Sequence, residues 1–168
     1  MTTGQTTQSD ESPDRAELAA ELQAMQAGFH ALLAVLPAGA LTERSRATKW
    51  TNGGLLTHAV AGLELLPREL ACARSGKGLY NYPSWFSNPV NYLMVKRSAK
   101  GATAESLGRR FDEAFNSAMR EFVAVKEDEW RKGANFWGEG FRDIEGLFRI
   151  QPSHFTEHGT QVLRAVGR

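Results

Sequence analysis

An all-α four-helix bundle, with long loops between helices two and three and before the last helix, is what this sequence predicts. Three observations carry the expectation. Four long segments place apolar residues three and four apart, the period of a helix with one buried stripe. No segment alternates apolar and polar residues as a half-buried strand would. Stretches rich in glycine, proline, serine and asparagine separate the four segments, and no internal repeat is visible.

The first helix is expected from "SPDRAELAAEL". There Ser12 can cap, Pro13 suits the first helical position and Asp14 complements the helix dipole. Leu18, Leu22, Met25, Phe29, Leu32 and Leu36 form its seam, and "PAG" at 37–39 ends it. Residues 1–12 are polar and low in complexity, so a disordered tail is expected there, leaving 13–168 as the folded domain. The second helix should run from about Gly54 to Arg74. Leu55, Ala59, Leu63, Leu66 and Leu70 supply one stripe, and Leu55, His58, Gly62 and Leu65 an adjacent one. Pro67 should bend or shorten this helix, and "SGKG" stops it.

"LYNYPSWFSNPVNY" is expected to be an ordered aromatic loop over one end of the bundle, running into a short helix near Val90–Arg97. The third helix should span about Thr103 to Glu127, burying Leu107, Phe111, Ala114, Phe115, Ala118, Phe122 and Val125. After the loop "GANFWGEG", a last helical region is expected from about Phe141 to Val166. Pro152 should divide or kink it, so that "HFTEH" begins a fresh segment.

Composition narrows the function. The chain of 168 residues is of single-domain length. Its 20 basic and 19 acidic residues give a net charge of +1 with no concentrated basic stretch, which argues against nucleic acid as a partner. One cysteine, Cys72, excludes an internal disulfide and suits a reducing compartment; it is expected to be a small buried apolar residue. No apolar core of a signal peptide and no run of membrane-spanning length is present, so a cytoplasmic protein with no membrane partner is expected.

Within "PSHFTEHGTQV", His154 and His158 lie four apart on one helical face, where Cβ atoms are about 5–6 Å apart and two imidazoles can reach one ion. A catalytic zinc commonly takes three protein ligands and keeps a position open. Of the two remaining histidines, His30 is turned away from the seam that holds Phe29 and is expected at the surface. His58 sits on the apolar stripe of helix two, which makes it the candidate third ligand. Spacing alone also admits a hydrogen-bonded core histidine at 58 and a surface or capping pair at 154 and 158.

"ATKWTNGGLLTHAVAGLELLPREL" followed by "DIEGLFRIQPSHFTEHGTQVLRAV" resembles the DinB-like, or YfiT-like, four-helix bundle superfamily. Its relatives include bacillithiol and mycothiol S-transferases and mycothiol-dependent maleylpyruvate isomerase. Trp50, His58, and His154 with His158 stand where that pattern has its tryptophan, its helix-two histidine and its H-x3-H, and Glu157 and Gln161 also fit. The resemblance implies one divalent metal, zinc or nickel, on His58, His154 and His158, and a homodimer. It also implies a small-molecule substrate and a low-molecular-weight thiol as co-substrate of an S-transferase or detoxification reaction. A hydrolase using metal-activated water and a non-catalytic, ligand-binding or stress-response dimeric bundle are the alternatives.

Around that centre, Glu157 can orient a ligand or act as a base, although helical geometry turns it about a hundred degrees from His158. Trp85, Phe86, Trp137 and Phe141 can line an apolar pocket mouth or simply close the bundle ends. Arg142 and Arg149 can anchor a substrate carboxylate or stand as solvated charges.

Overall fold

The computed structural model describes residues 13–46, 48–81, 92–138 and 140–167. The tail expected at 1–12, the aromatics Trp85 and Phe86, and the beginning of the short helix expected from Val90 lie outside these residues; helix is present over 92–98. Four long helices form the bundle: α1 (Arg15–Val35), α2 (Asn52–Ser75), α3 (Ala104–Ala124) and α4 (Ile144–Ala165). α2 packs against α3 and α4, and α1 packs against the same two, so α1 and α2 occupy opposite corners.

The caps explain where the helices begin. Asp14 caps α1, two residues beyond the expected cap, its Oδ1 accepting from the amides of Ala16 at 2.9 Å and Glu17 at 3.1 Å. Thr51 caps α2 through the Gly54 amide. Thr103 and Ser106 form a reciprocal capping box on α3. Asp143 caps α4 through the Gly146 amide at 2.8 Å. At the far end of α2, Gly76 takes a left-handed φ of 66°, which needs no Cβ, and returns its amide to Ala73. α3 stops three residues short of the expected Glu127. The Arg15 guanidinium donates to the Phe122, Val123 and Val125 carbonyls there, satisfying the helix end.

Neither proline divides its helix: α2 and α4 run unbroken through Pro67 and Pro152. Each proline removes one backbone bond. The flanking turns are held by buried neighbours instead, Leu63, Leu66 and Leu70 on α2 and Leu147, Phe148 and Phe155 on α4. His154 and His158 therefore lie in a continuous helix rather than a new segment.

Strands were not expected, and two occur among the described residues. β1 (Gly133–Asn135) pairs antiparallel with β2 (Phe141–Asp143), which takes the first three residues assigned to the last helix. Three-residue strands are too short to show alternation. Gly133 is required here, because a Cβ would collide with the Arg142 carbonyl.

Aromatic packing sets the rotation of α4. Phe155 is edge-on to both Phe29 (5.4 Å between centroids) and Phe111 (5.0 Å), which stack on each other at 4.4 Å. Each such buried ring contributes about 1.5–3 kcal/mol by removal from water. With Phe155 fixed between α1 and α3, the adjacent positions 154 and 158 turn towards α2.

Candidate metal centre

His58, His154 and His158 come together, each offering one ring nitrogen within 4.8 Å of the others. The ring of His58 is 5.1 Å from that of His154 and 5.3 Å from that of His158, and the α4 pair are 4.5 Å apart. Among the described residues no other group of three histidine, cysteine or acidic side chains gathers this way. Gly62, one turn after His58, lets α2 approach: a Cβ there would lie 3.5 Å from His154 Cε1.

Hydrogen bonds orient the pair on α4. His158 Nδ1 is 3.1 Å from Gln161 Oε1, and the Gln161 amide nitrogen donates to Glu157 Oε1 at 3.2 Å. With the amide oxygen facing the ring, Nδ1 carries the proton and Nε2 keeps its lone pair. That Nε2 lies 2.9 Å from His154 Nε2. Gln161 and Glu157 thus form the outer support that aims a ligating imidazole. Glu157 itself is exposed and reaches the histidines through Gln161.

Electrostatics keep His58 neutral. Burial lowers its pKa from 6.5 to about 4, helped by the neighbouring His154 and His158. At neutral pH its lone pair is available, as a metal ligand requires.

The residues fit a divalent ion. Metal–nitrogen bonds of about 2.0–2.1 Å place two donors on one ion at most about 4.2 Å apart, a spacing small side-chain rotations reach from this triad. Three imidazoles form a donor set that suits a divalent transition-metal ion and leave coordination positions open. His58 and His154 are only half-buried, so the centre is reachable.

The other candidates lie elsewhere. His30, at the surface as expected, pairs with Asp112 at 2.8 Å. Arg149 is held by Glu145 and Glu21, facing α1. Trp137 donates its indole N–H to the buried Glu69 at 2.6 Å and stacks on Tyr80 at 4.7 Å. Glu69 is eleven residues beyond His58, about 16 Å along α2, so Trp137 does not meet the histidines. Phe141 is exposed on β2, and Arg142 lies beside it. Cys72 is unpaired and half-buried against the core rather than fully buried.

A helical bundle with three converging imidazoles from two facing helices defines the class: a bundle with a metal-site architecture. The chain belongs to the family described as the mycothiol maleylpyruvate isomerase N-terminal domain, which it matches over residues 14–159, all three histidines included. YfiT from Bacillus subtilis, described as a probable metal-dependent hydrolase with an unusual four-helix bundle topology, is similar in structure. Its TM-score is 0.70 at 14% identity, over 99% of this chain and 94% of its own. Mycothiol-dependent maleylpyruvate isomerase is similar with a TM-score of 0.70 at 14% identity, over 89% of this chain. This chain covers 61% of that enzyme's length. A Streptococcus pneumoniae protein from structural genomics gives a TM-score of 0.70 at 13% identity, over 95% and 92% of the two chains. At such identities these likenesses show the fold. No curated protein sequence matches the chain. The YfiT-like resemblance drawn from the two histidine-bearing segments is borne out.

Proposed function

We propose that the chain is a metal-dependent enzyme in which His58, His154 and His158 hold one zinc or nickel ion. We propose further that it uses a low-molecular-weight thiol in a transfer or detoxification reaction on a small molecule. The observation that carries this reading is the convergence of three imidazoles, two of them half-buried, with no carboxylate or fourth protein ligand joining them among the described residues. Structural zinc sites are usually closed by four protein ligands, which supports a catalytic role. An ion held there supplies Lewis acidity, lowering the pKa of a thiol or water that reaches it.

The chain's own residues do the rest. Gln161, backed by Glu157, aims His158. Gly62 keeps α2 close to His154, and burial of His58 holds its proton off. The thiol component is favoured by the family, whose name carries a thiol-dependent isomerase. A hydrolase is the second reading, favoured by the likeness to YfiT. A homodimer and a cytoplasmic location belong to the same proposal, the latter in keeping with the unpaired Cys72.

Turnover screened with and without thiols, in the unaltered protein and in His58→Ala, tests the reading. Thiol-dependent turnover, lost in a variant that still folds, is the expected result. Turnover that proceeds equally without thiol moves the assignment to the hydrolase, and activity undiminished in His58→Ala overturns the metal role.

A further inference from the structure

Trp50 carries a polar group that the histidine centre does not use. The residue precedes α2 and its backbone is clamped on both sides: its amide donates to Thr48 Oγ1 at 3.2 Å, and its carbonyl accepts from Ser45 at 2.9 Å. Its side chain lies over Gly54, where an added Cβ would come within 3.2 Å of the Trp50 Cβ. Held this way, the half-buried indole rests against His58, 4.9 Å between ring centroids at a tilt of 44°. Its Nε1 is buried and finds no acceptor among the described residues. An indole N–H can only donate, and a buried donor with no acceptor is unfavourable enough to call for an explanation.

The other described tryptophans sharpen the point. Trp137 gives its N–H to Glu69. Trp130 also has no acceptor, but it is fully buried among Phe122 and Phe148, where no ligand can reach. Trp50 alone of these three combines an unsatisfied N–H with partial exposure and contact with a histidine of the centre.

We propose that the Trp50 N–H donates a hydrogen bond to the small molecule that completes the coordination of an ion at the histidine centre. It thereby selects ligands whose metal-bound group is an anionic acceptor. This inference rests on the metal reading above. The acceptor missing among the described residues is then supplied by the ligand, and the absence of a side chain at Gly54 leaves room for the indole to rest there.

Azide, a small anion that takes an open metal position, is the probe. In cobalt-loaded protein, followed by its visible spectrum, azide should bind roughly tenfold more weakly to Trp50→Phe than to the unaltered protein, the effect of one charge-assisted hydrogen bond. Cobalt affinity itself should change less than twofold. In zinc-loaded protein the Trp50 indole N–H resonance should move downfield on adding azide. Assignment by elimination with Trp85→Phe, Trp130→Phe and Trp137→Phe makes this readout independent of whether Trp50→Phe folds. Normal cobalt uptake with unchanged azide affinity, or an indole resonance that azide does not move, overturns this inference alone. No metal uptake by the unaltered protein overturns the metal reading and this inference together.

Discussion

The bundle places its histidines in two contrasting settings. His30, on the outer side of α1, meets Asp112 on α3 at 2.8 Å, and the two side chains are 45% and 42% exposed. The His30 hydrogen bond is the largest cause of a lowered Asp112 pKa, an arrangement that favours a surface ion pair worth about 0–1 kcal/mol. His58, His154 and His158 have one another as neighbours, are half-buried or buried, and lack a carboxylate among them. Burial and two adjacent imidazoles push the His58 pKa to about 4. The exposed imidazole of His30 faces a carboxylate, whereas the three clustered imidazoles face one another, and burial keeps the His58 lone pair free for a metal. Environment, more than residue type, separates a surface pair from a candidate centre.

The largest effect should come from deleting a ligand. His58→Ala should weaken zinc affinity by more than the roughly 10–100-fold that loss of an outer support costs, while His30→Ala leaves it unchanged. Competition titration with a chromophoric chelator measures both, and equal effects would erase the contrast.

Acid should separate the settings next. An unfolded His58 titrates near 6.5 and the folded one near 4, so above pH 6.5 neither form is protonated and the group contributes nothing. Below 6.5 the unfolded chain takes up the proton first, and metal-free protein should lose up to about 3 kcal/mol by pH 4. Asp112 acts lower: its folded pKa is depressed, so its stabilisation is present above its unfolded value and fades as pH falls through the folded one. Urea unfolding against pH should therefore flatten between 6.5 and 4 in His58→Ala, whereas His30→Ala should lower stability above about pH 4 and converge on the unaltered protein below it.

Removing the outer support is a smaller test. Gln161→Ala should weaken zinc binding about 10–100-fold by freeing the His158 ring. Smallest of all, Asp112→Asn should shift stability by less than about 1 kcal/mol and leave zinc binding alone, as measured by thermal unfolding with and without zinc.

Much of this was legible in the sequence because it depends on periodicity. The stripes of α1 and α3 are buried residue for residue as spacing predicts, from Leu18 to Leu32 and from Leu107 to Phe122. H-x3-H and the apolar position of His58 made the three rings candidates to meet, and the family resemblance joined them into one set. What escaped depends on contacts distant in sequence. Arg15 finishes α3 more than a hundred residues away, and the β1–β2 hairpin is only six residues of pairing. Pro67 was expected to bend or shorten its helix and Pro152 to divide or kink its own, because local rules see the lost bond and not the packing on either side. The ties from Trp137 to Glu69 and Tyr80 join three separate segments, which no local pattern announces.

Metal content tests the central claim most directly. Protein purified without an affinity tag, analysed beside the His154→Ala/His158→Ala double variant, should carry about one zinc or nickel ion per chain, with the variant carrying none. Protein that stays metal-free after incubation with zinc and nickel at neutral pH would contradict the account and leave the three histidines as polar members of the core.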